Sequence, residues 1–262
     1  NWWMQDPVGS SFNPSTIHMD LTDFAALVLS PVAQAKFVHT VAAGYVAGSM
    51  FILGISAWYL LKGRHVEFAR RSFRIAAAFG VAGTLSVLVL GDESGFGVAT
   101  YQKSKMAAIE AMWETEPAPA SLNLIAWINE DKQKNDWSIG IPYLLGLIAT
   151  RSTDGVVLGI NDIREENKGR IVSGVQALSA LDDMRKDPNN TAAKDRFERH
   201  KADMGYGLLV MRYVERADQA TADVIALAAK DSVPQSLPLF WTFRVMVGLG
   251  FTMLGLFIAA IW

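Results

Sequence analysis

The chain has 262 residues, of which 51% are hydrophobic and 19% are charged, and its formal net charge is −2. It contains no cysteine, which excludes disulfides, iron–sulfur clusters, zinc–cysteine sites and covalently attached c-type haem. The average hydrophobicity hides a sharp division into apolar segments and one long polar region, so we expect a membrane protein with a large insert outside the bilayer.

Three apolar segments are predicted to cross the membrane as helices, because ~20 apolar residues are enough to span a bilayer. They are residues 37–61, 75–91 and 238–262. The intervening parts are an extracytoplasmic or interfacial segment, a cytoplasmic link and a large extracytoplasmic loop region, at residues 1–36, 62–74 and 92–237. The predicted fold class is an all-α membrane protein, with three transmembrane helices of a larger helical bundle and a large, mainly helical extracytoplasmic loop domain.

The charge of the short link fixes the predicted orientation. Residues 62–74 contain five Lys or Arg residues and a single acidic residue, Glu67. Short loops rich in Lys and Arg remain in the cytoplasm. The polar insert is therefore expected on the outer side, and the outer end of the first span carries His39.

Local signals predict further elements outside the spans. Residues 23–30 read as a short interfacial helix, and Pro117 and Pro119 should interrupt the chain after a helix over 101–113. Residues 130–136 are expected to form a solvated loop. The apolar stretch 139–150 is too short to span and should pack on the membrane surface or within the insert. Further helices are predicted over 161–181, over 191–213 and from Thr221 onward.

His39 is the first candidate functional residue. An ionisable ring inside an apolar span is costly and usually has a function. The structural alternative is a histidine at the headgroup boundary that is hydrogen-bonded to a neighbouring helix. Met246 should lie at the outer end of the third span, at a depth similar to His39. A methionine in an apolar helix usually only packs, but a His/Met pair is a known ligand set for low-spin haem.

Other residues near the outer ends leave two interpretations open. Arg244 could extend to the interface or neutralise an anionic group such as a haem propionate. Gly44 and Gly48 could allow close helix packing or make room for a flat macrocycle. His200, in a charged run, is expected to be a surface histidine.

Four charged residues lie beside these outer ends, and each is expected from the sequence alone to be solvated. They are Asp92, Glu93, Lys105 and Glu110. On one regular helix Lys105 and Glu110 would project ~140° apart, so they would not form a simple pair.

Five blocks of the sequence, in this order, read SPVAQAKFVHTVAAGYV, ISAWYLLKGRH, VLGDESG, KMAAIEAMWETEPAPAS and PLFWTFRVMVGLGF. Together they resemble subunit I of the cytochrome bd quinol:oxygen oxidases. The resemblance runs through essentially the whole chain and is strongest around the three spans and the start of the insert. Because the chain starts at Asn1 and ends within an apolar segment at Trp262, we expect an internal piece of such a subunit.

The resemblance implies the following site residues. His39 and Met246 match the axial ligands of a non-covalent, low-spin haem b, with Arg244 beside it. The insert matches the quinol-binding Q-loop of the long-loop subfamily. Its quinol-site residues match Lys105 and Glu110, with two further acidic residues close by, Asp92 and Glu93. The ligands of the family's high-spin haem b and haem d would lie outside this chain.

The resemblance also implies an activity and a setting. The full protein would oxidise ubiquinol or menaquinol at the outer face of the bacterial inner membrane and pass electrons toward oxygen, contributing to a proton motive force. Its partners would be subunit II, small accessory subunits and the lipid bilayer, with no nucleic acid. The alternative is a non-redox membrane transporter or sensor segment in which His39 is a proton relay and Met246 only packs.

Overall fold

The computed structural model describes residues 6–13 and 16–262, and within them helices predominate. The helices are α1 (Phe24–Leu29), α2 (Pro31–Leu61), α3 (Val66–Tyr101), α4 (Lys103–Glu110), α5 (Leu144–Thr150), α6 (Ile160–Lys186), α7 (Thr191–His200), α8 (Met204–Gly207), α9 (Ala222–Asp231) and α10 (Ser236–Ile261). Short 3₁₀ turns occupy Lys201–Asp203, Leu208–Arg212 and Ala217–Gln219. Two two-stranded sheets pair β1 (Ser10–Asn13) with β2 (His18–Leu21), and β3 (Leu122–Asn129) with β4 (Lys134–Ile141).

The predicted all-α membrane class is confirmed. Three helical stretches are long and apolar enough to cross a membrane: α2, α3 and the stretch Ala222–Ile261, which comprises α9 and α10. The predicted short helix over 23–30 is α1, and the Asp23 side chain caps it by accepting from Ala26 N at 3.0 Å.

The apolar helices extend beyond the apolar segments of the sequence. Helix α2 begins at Pro31, where proline is favoured because the first helical N–H needs no partner within the helix. Helix α3 includes most of the charged link, so only residues 62–65 form the turn. Gly63 has φ +65° in that turn, a conformation that glycine adopts without a Cβ clash. The bilayer limits within these helices remain a prediction.

The chain divides into two compact units, and the first contains α2, α3 and α10 from Trp241 onward. Helices α2 and α3 pack through small residues. Those buried in α3 are Ala69, Ala76, Ala77, Gly80, Gly83 and Thr84. Helix α10 adds Phe257, which is fully buried against Val46, Leu53 and Ala76. A Cβ at Gly80 would overlap the Phe257 ring, so this glycine permits the close approach of α10.

The second unit comprises Gln102–Phe240 together with residues 16–18. One part of it is built on a hydrophobic core that joins α4, the β3–β4 hairpin, the start of α6 and the residues before α10. The buried members are Ala107, Ala108, Ala111, Trp113, Ala126, Ile128, Ile160, Ile163, Val233 and Phe240. The other part is a helical cluster around α6, with Ile171, Val210, Ala228 and Ala229 buried at its centre.

The insert departs from the predicted elements in two places. Residues 130–133 form a turn, but the rest of the expected loop is strand β4, and the apolar stretch 139–150 divides between β4 and α5. The expected single helix over 191–213 ends at His200 and continues as short turns. Gly205 and Gly207 weaken a long helix there. Gly207 also lies against Gly174 of α6, where a Cβ would overlap backbone.

Candidate functional site

His39 lies on the face of α2 that packs against α3. Its ring is half-buried, and a Cβ placed on Gly91 of α3 would lie 3.4 Å from His39 Cε1. The Nδ1 atom is buried and has no hydrogen-bond partner. A neutral imidazole has one donor and one acceptor nitrogen, so an unpaired buried Nδ1 is costly. The expected alternative, a histidine hydrogen-bonded to a neighbouring helix, therefore has no support at Nδ1.

The contacts along α3 give the relative levels of the three helices. A Cβ on Gly83 would contact Val46 and one on Gly91 would contact His39, whereas Gly80 lies against Phe257. Helix α3 therefore runs antiparallel to α2. Along α3, the contact with His39 at Gly91 lies 11 residues after the contact with Phe257 at Gly80.

Met246 lies 11 residues before Phe257 in α10. This separation is about 17 Å along the helix axis and about three turns, so Met246 and Phe257 lie on the same face of α10. Gln102 follows the C-terminal end of α3, and Leu239 lies in the first turn of α10. These two residues line one cavity. Helix α10 is thus antiparallel to α3. His39 and Met246 therefore lie at the same height along the helix axes, both about 11 residues from the Gly80–Phe257 contact.

The surroundings of Met246 differ from those of Arg244. Met246 is 56% exposed, so its thioether is accessible. Arg244 is two positions away, which turns it ~160° around the helix. It is half-buried, with its guanidinium 5.4 Å from the Phe243 ring centroid. The structure therefore directs Met246 and Arg244 to different sides of α10.

The structure bears on one of the two expected roles of Gly44 and Gly48, close helix packing. A Cβ on either glycine would meet nothing within 4 Å, so neither makes a close helix contact with the described residues. Gly48 lies nine positions after His39, on the opposite side of α2. Any room that these glycines leave is away from the His39 ring.

Asp92 and Glu93 follow Gly91 directly and belong to α3. Both are exposed, as expected for charged residues. Their place next to the glycine that contacts His39 puts them at the same end of α3 as the candidate haem ligand.

Lys105 and Glu110 lie on α4, and the structure corrects the expectation that both are solvated. Lys105 is half-buried, and Glu110 is only 2% exposed. Helix α4 is separated from α3 at Gln102, which has φ −138° and ψ 59°. It ends at Ala111, whose left-handed φ of 50° turns the chain back under the β3–β4 hairpin. Glu110 is buried because it lies at this turn.

Two asparagines of the hairpin hold the end of α4. Asn123 Nδ2 donates to the Glu110 carbonyl at 3.1 Å, and Asn135 Nδ2 donates to the Ala111 carbonyl at 2.9 Å. The Asn135 Oδ1 also accepts from Trp113 Nε1 at 3.1 Å. The hairpin thus supplies partners for the carbonyl groups that a helix end leaves unpaired.

Lys105 lines a cavity of about 420 Å³ whose other lining residues are Gln102, Ser104, Pro234 and Leu239. This volume lies in the range of small-molecule sites. Glu110 does not line it, and α4 holds Lys105 and Glu110 on different sides, as the sequence predicts.

Three residues that line the cavity were not predicted from the sequence: Gln102, Pro234 and Leu239. Gln102 lines the cavity together with Lys105, and its Oε1 is buried without a hydrogen-bond partner. Its position directly before α4, three residues before Lys105, is a signal that could have identified it. Pro234 and Leu239 are more than 100 residues away in sequence and carry no such signal.

The family model for cytochrome bd terminal oxidase subunit I matches residues 1–262. The chain belongs to this family. It is 42% identical over 250 residues to the cytochrome bd-II ubiquinol oxidase subunit 1 of Escherichia coli strain K12, covering 95% of this chain and 49% of that protein. The cytochrome bd ubiquinol oxidase subunit 1 of Bacillus subtilis strain 168 is 32% identical over 166 residues, covering 63% of this chain and 35% of that protein.

The fold is also similar to a solved structure. A chain of the bd oxidase from Geobacillus thermodenitrificans superimposes with a TM-score of 0.55 at 20% identity, covering 99% of this chain and 65% of that chain. This chain spans about half the length of the E. coli relative. Family membership favours the oxidase over the transporter or sensor alternative.

Proposed function

We propose that this chain is the quinol-oxidising, electron-entry part of a cytochrome bd-type subunit I. A quinol is oxidised at the outer membrane face, and electrons pass through a low-spin haem b toward oxygen reduction in the full complex. The observation that carries the proposal is the His39 ring, with its unpaired buried Nδ1, at the level of Met246. Family membership supports the activity.

The residues present fit a non-covalent haem between α2 and α10. A buried imidazole that is not hydrogen-bonded through Nδ1 and an accessible thioether are the donor types of a His/Met haem site. When bound, the haem supplies a one-electron carrier with a raised reduction potential. Arg244 is the cation nearest along the helix for a propionate, but it must extend around α10 to reach the Met246 side.

The Lys105 cavity is the proposed quinol site. Oxidation of one quinol releases two electrons and two protons. The Lys105 ammonium donates to a quinol oxygen and stabilises the negative charge that develops there as a proton leaves. Gln102 lines the same cavity, and its side-chain amide would bind a quinol oxygen or hydroxyl there. Glu110, or Asp92 and Glu93, would take the protons and pass them to the outer water.

The proposed setting is the bacterial inner membrane, with the Q-loop on the periplasmic side. The basic link at residues 62–74 supports this orientation. Release of quinol protons outside contributes to the proton motive force. The proposed substrate is ubiquinol or menaquinol, since relatives are named for each of these quinols. Subunit II, small accessory subunits and the high-spin haem b and haem d belong to the proposed full complex.

The ligand assignment is tested by reduced-minus-oxidised spectra of the full oxidase with His39→Ala or Met246→Leu. Each variant is expected to lose the low-spin haem b signal, because one axial donor is removed. His65→Ala and Met253→Leu are the matched controls, at other positions of the same helical unit, and should keep the signal. An unchanged low-spin spectrum in both ligand variants would overturn the assignment.

The quinol site is tested in the same preparations with Lys105→Ala. Quinol oxidation should fall by on the order of 100-fold, the range typical of a lost charge-stabilising group, while the low-spin haem spectrum is kept. Lys103→Ala, an exposed lysine on the same helix, is the control and should oxidise quinol normally. Normal turnover of Lys105→Ala would remove this cavity from the mechanism.

A further inference from the structure

The first residues of α10 are held by a carboxylate from a distant part of the chain. Leu237 N donates to Glu130 Oε1 at 2.8 Å, and 107 residues separate the two. Leu237 is the second residue of α10. The first N–H groups of a helix have no partner within it, and a negative charge is favourable at this end of the helix dipole. Glu130, in the β3–β4 turn, therefore caps α10 from outside.

The local sequence does not provide this cap. Ser236 is a residue type that often caps helices, but its Oγ is buried without a hydrogen-bond partner. Pro238 has no N–H to donate. The bond from Leu237 to Glu130 is thus a specific fixing point for the start of α10.

The fixed segment forms one wall of the Lys105 cavity. Pro234 and Leu239 line the cavity together with Gln102, Ser104 and Lys105, and Leu237 lies between Pro234 and Leu239 in sequence. Leu239 also packs on the core that contains Ala107 and Ala108 of α4. Release of Leu237 would free this wall to move relative to Lys105.

The negative charge of Glu130 also acts on a half-buried arginine, Arg164 of α6. Arg164 has Nε and Nη1 buried without hydrogen-bond partners, and its Cζ lies 5.9 Å from the Trp113 ring centroid. Burial lowers the pKa of Arg164, and the Glu130 carboxylate opposes that shift. Glu130 therefore compensates both a half-buried cation and a helix N-terminus.

We propose that Glu130 is a positioning residue for the quinol site, which it shapes by clamping the start of α10 at Leu237. It does not touch the substrate. It sets the distance between the Pro234–Leu239 wall and Lys105, and so governs how tightly a quinol headgroup is held. This inference rests on the proposed quinol-oxidising function of the Lys105 cavity.

The test uses the full oxidase with Glu130→Ala, Glu130→Gln and the control Asp131→Ala. Asp131 is the exposed neighbour in the same turn, so the control removes the same charge next to the clamp. Glu130→Ala should raise the KM for a short-chain quinol about tenfold, as expected for loss of one charged hydrogen bond, with kcat changed less than about twofold. Glu130→Gln keeps an acceptor oxygen and should lie between Glu130→Ala and the parent, and Asp131→Ala should match the parent.

Amide hydrogen exchange gives a readout that does not depend on turnover. The peptide covering residues 235–240 should exchange faster in Glu130→Ala than in the parent or in Asp131→Ala, because the Leu237 N–H loses its acceptor. The low-spin haem spectrum should be unchanged, which separates a moved wall from a general loss of structure. If Glu130→Ala does not assemble, Glu130→Gln decides by the same two measurements.

Unchanged KM and unchanged exchange in Glu130→Ala would overturn the clamp, as would a fall in kcat alone. Lys105→Ala separates a failure of the proposed clamp from a failure of the proposed quinol site. If Lys105→Ala impairs quinol oxidation and Glu130→Ala does not, only the clamp is wrong. If Lys105→Ala is fully active, the proposed quinol site is wrong, and faster exchange in Glu130→Ala would then describe a helix cap without a role at a quinol site.

Discussion

Arg170 joins α6 to the segment that follows α7. Its Nε donates to Asp203 Oδ1 at 2.9 Å, and its Nη1 donates to Tyr206 Oη at 3.0 Å. Its Cζ lies 4.1 Å from the Tyr206 ring centroid, within the range of a favourable cation–π contact. Ser173 Oγ lies 2.9 Å from His200 Nδ1 on the same side of α6, so His200 is half-buried and bonded rather than a free surface histidine. One residue thus fixes a segment whose glycines prevent a long helix.

The charge of Asp203 gives this contact a pH dependence. Partial burial acts to raise the pKa of Asp203, but hydrogen bonds from Arg170 and Ser173, with the charges of Arg170 and His200, bring the pKa below the ordinary 3.8. A carboxylate with a depressed folded pKa contributes stability that is present above its unfolded pKa and is lost as the pH falls through the folded value. We expect this part of the insert to lose stability below about pH 4, by less than about 1 kcal/mol because the ion pair is partly solvated.

Asp203→Asn should remove that acid-dependent loss and lower the stability at pH 7. Asp195→Asn is the control, since Asp195 pairs with Arg199 in an exposed contact of one helix. The measurement is amide hydrogen exchange of residues 204–213 in the full oxidase at pH 7 and near pH 4. Equal acid sensitivity of the Asp203→Asn variant and the parent would contradict the assignment.

At the scale of elements, the β3–β4 hairpin determines where α4 ends. The side chains of Asn123 and Asn135 reach the carbonyls of Glu110 and Ala111. The buried face of the hairpin contributes Ala126 and Ile128 to the core beneath α4. The burial of Glu110 is therefore a property of the hairpin as much as of α4.

Asn135→Ala is expected to destabilise the insert. Asn135 serves both the Ala111 carbonyl and the Trp113 indole, so its loss leaves two groups without this partner, at a cost of about 2 kcal/mol. The variant should also reduce quinol oxidation, because the backbone after Glu110 loses its support. Thermal unfolding and turnover of the full oxidase measure these effects, with the exposed Asn189→Ala as a control. Equal stability of Asn135→Ala and the parent would refute the double role of Asn135.

Hydropathy and charge predict the apolar helices and the common level of His39 and Met246. Successive spans alternate in direction, so the first residues of the first and third spans lie at the same end of the helical unit. The start of α9 at Thr221 is also predicted, because Thr221 caps it locally by accepting from Val224 N at 3.4 Å. In each case the signal lies within the segment itself.

The hairpin and the burial of Glu110 could not be predicted in the same way. Two register shifts, between Asn123 and Ile125 and between Trp127 and Ile128, break the alternation of apolar and polar residues that identifies a strand. Glu110 becomes buried only once that hairpin lies over it. The bond between Glu130 and Leu237 joins residues 107 positions apart, and no local pattern indicates such a partner.

At the scale of the whole molecule, the membrane-type unit depends on small residues where its helices meet. In lipid, apolar helices gain little hydrophobic free energy from contact with each other. Close van der Waals packing therefore supplies much of the free energy of their association. Phe257 is fully buried over Gly80. Because Met246 lies three turns away on the same face of α10, the position of Phe257 also bears on the distance from Met246 to His39.

Gly80→Val should push Phe257 and α10 away from α3. The expected result in the full oxidase is a loss of about 1–3 kcal/mol of stability, as for other overpacked cores, and a weakened low-spin haem b signal. Gly54→Val is the control, since a Cβ at Gly54 would meet nothing within 4 Å. Adding Phe257→Ala to Gly80→Val removes the ring that causes the overlap and should restore part of the haem signal. A normal spectrum in Gly80→Val would mean that the Gly80–Phe257 contact does not set the position of Met246. A weakened signal that is restored by adding Phe257→Ala would show that the haem site depends on this contact.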